Sequence, residues 1–366
     1  MMQQQKEDRM NRFKLSLFSI ALIMAVSAFF VFLSCDDAGE ALTGTLYVGG
    51  YSTDKVYVVD IAQLRVVQSI DLPGGSEPDW LTLSPDGKSL YLSAYNQAQI
   101  HIIDTDSNSY KTAVDVCPAP MGIDFTPDGS IALVRHGSNS DDIALIDTQT
   151  LSYDSNNDTI RDVYGSGGIA VHPALNKFYV TGTDEFSTTN QVHVSDIVGN
   201  ATPASYSISH TNFLRDVEIS ADGGSLFVSA SGEIDVIHFL DVNAANGSIQ
   251  SHITKEMEHE RSDNDYQGKI RVTPNNTRLY IGAYSSCVLD YIELSNIVTS
   301  NYIDLIDYAQ IGNGPRDVVF SSGSSFGFVL IDGPDDLVVV IRTSDDSVID
   351  TILLPNCDPR SLVYKQ

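Results

Sequence analysis

An all-β fold built from one unit repeated seven times is predicted by three features of this sequence. A short apolar strand recurs along the chain, a turn precedes most copies, and the chain starts and stops partway through a unit. The strand reads Leu46-Tyr47-Val48, Leu90-Tyr91-Leu92, Ala132-Leu133-Val134, Phe178-Tyr179-Val180, Leu226-Phe227-Val228, Leu279-Tyr280-Ile281 and Gly327-Phe328-Val329. Copies lie about 47 residues apart, the period of a repeat architecture. Turns precede them at Ser84-Pro85-Asp86-Gly87, Thr126-Pro127-Asp128-Gly129, Ser220-Ala221-Asp222-Gly223 and Thr273-Pro274-Asn275-Asn276. Proline presets φ at the second turn position, and Gly or Asn accepts the positive φ that follows.

Each unit opens with another strand, such as Trp80-Leu81-Thr82-Leu83, Val217-Glu218-Ile219 or Val318-Val319-Phe320. A third strand ends in Asp in five copies, among them Val56 to Asp60 and Ile100 to Asp104, and a fourth follows, as in Arg65 to Leu72. Short, β-branched runs bounded by turn residues are strands rather than helices. Four of them per repeat predict a seven-bladed β-propeller. The chain begins at the second strand of a blade, Thr45 to Val48, and ends on a first strand, Arg360 to Tyr364. Pairing the C-terminal strand with the N-terminal blade closes the ring and removes two open sheet edges. Residues 45–366 are therefore expected to form one propeller domain.

The segments before it are of a different kind. Arg12 and Lys14 precede an uncharged, mostly apolar run from Leu15 to Leu33, followed by Ser34-Cys35. A basic head, an apolar run and a small residue at the cut predict a signal peptide over 1–35, with a short linker over 36–44. Ser34-Cys35 resembles the lipobox of bacterial lipoproteins, in which the cysteine is acylated. Phe32 and Leu33 depart from the usual pattern. The competing reading is an uncleaved N-terminal anchor. Both readings put the propeller outside the cytoplasm, in the cell envelope. With Cys35 lipidated, Cys117, Cys287 and Cys357 allow at most one disulfide.

The chain carries 21 Lys+Arg against 48 Asp+Glu, a net charge of −27. Nucleic-acid partners are excluded by that balance, because such binding depends on cations neutralising phosphates. So acidic a surface is repelled by anionic membranes, leaving the N-terminus as the membrane attachment. A 42% hydrophobic and 19% charged composition excludes disorder.

The unit from Pro78 through Leu83-Ser84-Pro85-Asp86-Gly87-Lys88-Ser89-Leu90-Tyr91-Leu92 to Ile100-His101-Ile102-Ile103-Asp104-Thr105 resembles the YVTN-type propeller repeat. The resemblance covers residues 45–365. It implies an exported or surface-attached protein with a binding role, and a wider relationship to lactonase-like propellers. The single Trp, Trp80, leaves no recurring Trp-Asp signature of WD repeats.

Candidate ligand contacts follow from where copies break their own pattern at the channel mouth. Arg135-His136 stands where other copies carry mostly small residues. Arg215, Arg316 and Arg360 lead their first strands and are suited to bidentate contact with a carboxylate or phosphate. The following Asp216 and Asp317 are expected to neutralise the first two. Tyr51, Tyr95 and Tyr284 follow their strand aromatics by four residues, near the same rim. Asp216 and Glu218, then Lys269 and Arg271, occupy equivalent places in neighbouring blades and predict inter-blade ion pairs. The insertion from His252 to Asp265 is expected to overhang the mouth.

Asp154, Asn156, Asp158 and Asp162 space oxygen ligands as in a calcium loop, but Thr159 and Gly165 stand where such a loop needs Gly and Glu. The histidines lack paired zinc spacing. No phosphate loop or Cys-x-x-Cys-His occurs, and no cofactor is expected. The expectation is a monomeric, non-catalytic module binding a protein, glycan or small ligand at the mouth. The alternative is a lactonase-like hydrolase using the charged residues there.

Overall fold

A computed structural model of the protein describes residues 40–137, 142–156, 158–161, 163, 168–183, 190–197, 203–208, 213–231, 236–256, 267–283, 288–296, 303–304 and 314–366. Cys35, Asp162, Tyr284, Cys287 and residues 257–266 of the insertion lie outside them. Residues 42–366 form one compact unit.

Among the described residues the chain forms seven antiparallel four-stranded sheets, the blades of a propeller. Blade two is typical: Pro78–Leu83, Ser89–Ala94, Gln99–Asp104 and Ser109–Asp115 pair in chain order. First strands touch one another around a closed ring and so line the central channel. Blade one is composite. Thr45–Gly50, Lys55–Asp60 and Arg65–Asp71 receive Pro359–Lys365 as their innermost strand. The pairing runs from Thr45 opposite Lys365 to Gly49 opposite Ser361. Beyond it, Tyr364 stacks on Phe328 of blade seven at 5.6 Å, and Lys365 reaches Asp106 of blade two at 3.0 Å.

The turns form as their residues dictate. Gly87 N–H donates to Ser84 O at 2.8 Å with Gly87 at φ +68°, and Ser84 Oγ donates to Asp86 Oδ1 at 2.6 Å. The Thr126 and Ser220 turns repeat both bonds. Asn276, at φ 55°, replaces the glycine in blade six.

Each second strand is buried on both faces, because side chains alternate across the pleat. Leu46 and Val48 pack with Phe328 and Leu330 of blade seven, whereas Tyr47 packs with Leu81 and Leu92 of blade two. Burying a residue of this size contributes about 1.5–3 kcal/mol. The core is thus a series of apolar layers between blades. Tyrosine hydroxyls fasten the layers further out: Tyr47 to Asn108 at 2.7 Å and Tyr179 to Gly247 O at 2.8 Å, each in the following blade.

A register shift recurs where first strands begin, between Pro78 and Leu81, Pro120 and Ile123, Leu214 and Val217, Gln267 and Ile270, and Pro315 and Asp317. The closing strand has one opposite Gly49 and Gly50. A bulge of this kind inserts a residue and re-aims its neighbours. Arg215, Arg316 and Arg360 sit in these bulges.

Candidate functional site

At the bulges of blades five and seven an aspartate reaches across to the next blade. Asp216 accepts Val217 N–H at 2.9 Å and, across the blade boundary, Ile270 N–H at 3.1 Å. Asp317 accepts Val318 N–H at 3.0 Å and Leu362 N–H of blade one at 3.4 Å. Two positions further along its strand, Asp124 of blade three accepts Phe125 N–H at 2.8 Å and Val171 N–H of blade four at 2.7 Å. Each carboxylate therefore bolts one inner strand to the next.

Two cations complete the network. Lys269 Nζ lies 3.0 Å from Asp317 Oδ2 and 2.6 Å from Ser361 Oγ, and 3.9 Å from the centre of the Trp80 ring. Lys269 and Arg271 were expected to face blade five together. Arg271 does so, at 3.5 Å from Asp216 and 3.7 Å from Glu218, and it also reaches Asp317 at 3.4 Å. Lys269 pairs instead with blade seven. Its strand sits between two acidic blades, and Ser361 supplies a further acceptor on that side. Nor does Asp317 neutralise Arg316. The bulge separates them, so Asp317 joins the channel network while Arg316 pairs with Asp332 on the rim.

Burial pushes the carboxyls of Asp124, Asp216 and Glu218 upward, because a low-dielectric wall disfavours the charged form. Asp124 rises to about 6 despite its two backbone N–H donors. Asp216 rises against the pull of Arg271 and Lys269. Glu218 rises to about 8, with Arg271 the opposing influence and Asp216, Asp124 and Asp317 adding repulsion. Burial lowers Lys269.

These groups border a cavity of about 250 Å³ on the channel axis, to which all seven inner strands contribute. Its walls mix apolar side chains with Thr82, Asp124, Glu218 and Arg271. Trp80 Nε1 donates to Thr82 Oγ1 at 3.2 Å, and Thr82 Oγ1 donates to Ile123 O at 2.9 Å. Glu218 differs from the other polar groups there: it makes no hydrogen bond among the described residues, and 27% of its side chain is exposed.

The rim is organised separately. Arg360 pairs with Asp358 at 2.9 Å and lies 4.6 Å from the centre of the Tyr51 ring, while Tyr51 donates to Glu77 at 3.1 Å. Asn96 also donates to Glu77. Tyr95 is 38% exposed. Arg135 and His136, expected at the mouth, are only 1% and 2% exposed, because they lie in a second strand covered on both faces. Burial pushes His136 down to about 4, and its Nδ1 lies 3.2 Å from Asp142 O. Asp154 and Asp158 hold their loop together locally, with Asp154 N–H donating to Asp158 at 2.9 Å. Cys117 and Cys357 are free thiols.

No family model matches the chain, so the repeat resemblance stands on its own residues. One stretch is similar to Antigen Lp49 of Leptospira interrogans, 27% identical over 103 residues that cover 24% of this chain and 22% of that antigen. The match thus spans about a fifth of the antigen's length. Among solved structures, hydrazine synthase of Kuenenia stuttgartiensis superposes with a TM-score of 0.69 at 17% identity, covering 86% of this chain and 99% of that one. The periplasmic gluconolactonase of Pseudomonas aeruginosa does so with 0.69 at 15% identity, covering 88% and 98%. At such identities the fold is what is shared, and function sits in the sites grafted on it. The chain is a seven-bladed propeller with lactonase-like propellers among its structural likenesses.

Proposed function

We propose that this is a non-catalytic binding propeller held outside the cytoplasm, attached to the envelope through its N-terminal segment with Cys35 as the lipidated residue. Its ligand is a glycan or protein segment received at the channel mouth. One observation carries this reading: Arg316 and Arg360 are each neutralised by a neighbouring aspartate. Stabilising charge that develops in a reaction calls for preorganised donors aimed at the reacting group. What the rim offers instead is aromatic surface on Tyr51 and Tyr95, flanked by hydrogen-bonding Glu77 and Asn96. Stacking and hydrogen bonds of this kind suit a sugar or a peptide. An extracytoplasmic setting is supported by two of the proteins this chain resembles, an antigen and a periplasmic enzyme.

The test is a glycan array and a pull-down with the full chain, compared with Tyr51→Ala and Tyr95→Ala. Specific retention lost in both variants supports the reading. Retention indifferent to both overturns the rim as the site. A lactonase-like hydrolase is the second reading, favoured by the Glu218 carboxyl facing the cavity as a proton donor. Hydrolysis of glucono-1,5-lactone that disappears in Glu218→Gln would establish it over the first.

A further inference from the structure

We infer that the outer strand of blade four is a self-association edge, through which two copies of this chain pair antiparallel about a twofold axis at Tyr206. The inference goes beyond the rim reading and rests on no part of it.

The outermost strand of each blade ends its sheet, so its outward N–H and C=O groups have no neighbouring strand. Such a row is a template for another chain, and proteins blunt it with charge, bulges or very short strands. Six of the seven outer strands carry one of these devices. Arg65–Asp71, Ser109–Asp115, Ile249–Glu256 and Ser347–Leu353 each contain a charged residue, and each is bulged against its neighbour. In blades three and six the outer strand is only two residues long, Thr159–Ile160 and Ile303–Asp304. Blade four is the exception. Its outer strand, Ala204-Ser205-Tyr206-Ser207-Ile208, carries no charge and pairs with Asn190 to Val194 without a register shift. Ala204, Ser205 and Ser207 are exposed, and among the described residues no strand pairs with its outer side.

The edge is held in place before any partner arrives. Tyr206 hydroxyl lies 3.0 Å from His252 Nδ1 of blade five, with the two rings edge to face at 5.6 Å. Ser205 Oγ lies 3.0 Å from His193 Nδ1 of the adjacent strand. An edge already ordered gives up little conformational entropy on pairing. Pro203, which has no N–H to donate, bounds the pairing at Ala204.

Charge and sequence select a second copy as the occupant. The chain carries a net charge of −27, so two copies repel, and their approach is least opposed where the facing strands hold no ionised group. A basic partner would find no carboxylate on this strand to pair with. Antiparallel pairing centred on Tyr206 sets Ser205 opposite Ser207 of the second copy, Ala204 opposite Ile208, and the two Tyr206 residues opposite each other. Hydroxyl and aromatic cross-strand pairs of this kind stabilise a sheet. A strand of five residues buries far less than the roughly 800 Å² per partner of a stable interface, so the dimer is weak and forms with concentration. The monomer expected from the sequence is then the dilute form.

Sedimentation velocity of the full-length protein over a wide concentration range tests this. The mass should rise from monomer toward dimer, and more steeply in about 0.5 M than in about 0.05 M sodium chloride, because salt screens the net repulsion. Ser207→Glu puts a carboxylate on the exposed edge; it should weaken association about tenfold or more with the melting temperature unchanged. For the register, Ser205→Cys and Ser207→Cys proteins are prepared separately, mixed and oxidised, and disulfides are mapped by mass spectrometry. A bond joining position 205 of one copy to position 207 of the other is expected, and only in the mixture. A single mass at every concentration, association that Ser207→Glu leaves intact, or disulfides joining each position to itself overturns the inference.

Discussion

Gly168 of blade four and Asp216 of blade five approach so closely that a methyl group on Gly168 would stand 2.1 Å from Asp216 Oδ1 and 2.8 Å from Val217 N. The glycine is what lets the aspartate reach across to Ile270. Gly168→Ala must push that carboxylate aside or part the blades, and overpacking of this kind costs about 1–3 kcal/mol. Urea unfolding of the variant should show a lowered midpoint with an unchanged slope.

Asp317 joins three blades, holding Leu362 N–H while pairing with Lys269 and Arg271. Asp317→Ala strands a lysine whose side chain is 11% exposed and a backbone N–H, so a loss of about 3–5 kcal/mol is expected. Adding Lys269→Met should recover part of it. Chemical denaturation of the single and double variants measures the coupling.

Deleting Pro359–Gln366 removes the innermost strand of blade one and bares the edge at Thr45–Gly50. Exposed edges of this kind pair with other chains. The truncated protein should melt well below the parent and elute as aggregate in size-exclusion chromatography. Unchanged melting would contradict the closure.

Glu218 and Asp124 are held above their ordinary values, at about 8 and about 6. The folded state therefore retains protons that the unfolded chain has already released. The contribution is fully present below the ordinary carboxyl range and is lost as pH rises through these two values. For Glu218 the slope is at most about 1.4 kcal/mol per pH unit. Stability of the wild type relative to Glu218→Gln should fall between pH 5 and pH 8, read from urea midpoints across that range.

His136 works in the opposite sense. Held near 4 by burial, it contributes stability above the ordinary histidine value and loses it as the pH falls toward 4. His136→Gln should be less sensitive than the wild type to acid between pH 6.5 and 4, as judged by melting temperature.

The repeat was readable because its signals are local. Ser84-Pro85-Asp86-Gly87 specifies its turn by its own bonds, and the apolar triplets declare strands buried on both faces. Closure was readable because the first blade holds three strands of its own and the C-terminal segment supplies the fourth. The channel network was less so. Arg316 and Asp317 are adjacent in sequence, yet a bulge, which has no composition of its own, sends one to the rim and the other inward. Lys269 had acids available on both sides, and only three-dimensional packing chose blade seven. Trp80 lies under Lys269 although nearly two hundred residues separate them in sequence. For Arg135 and His136, an unusual pair of residues pointed to the mouth, but their strand is covered on both sides.

The composite blade also bears on how the ring is assembled. Tyr364 hydroxyl meets Thr43 O across 321 residues of sequence. Loop closure on that scale makes the last pairing entropically slow. Of the described strand pairings it spans the longest stretch of sequence, and strand exchange between two molecules at this seam would leave every wedge intact.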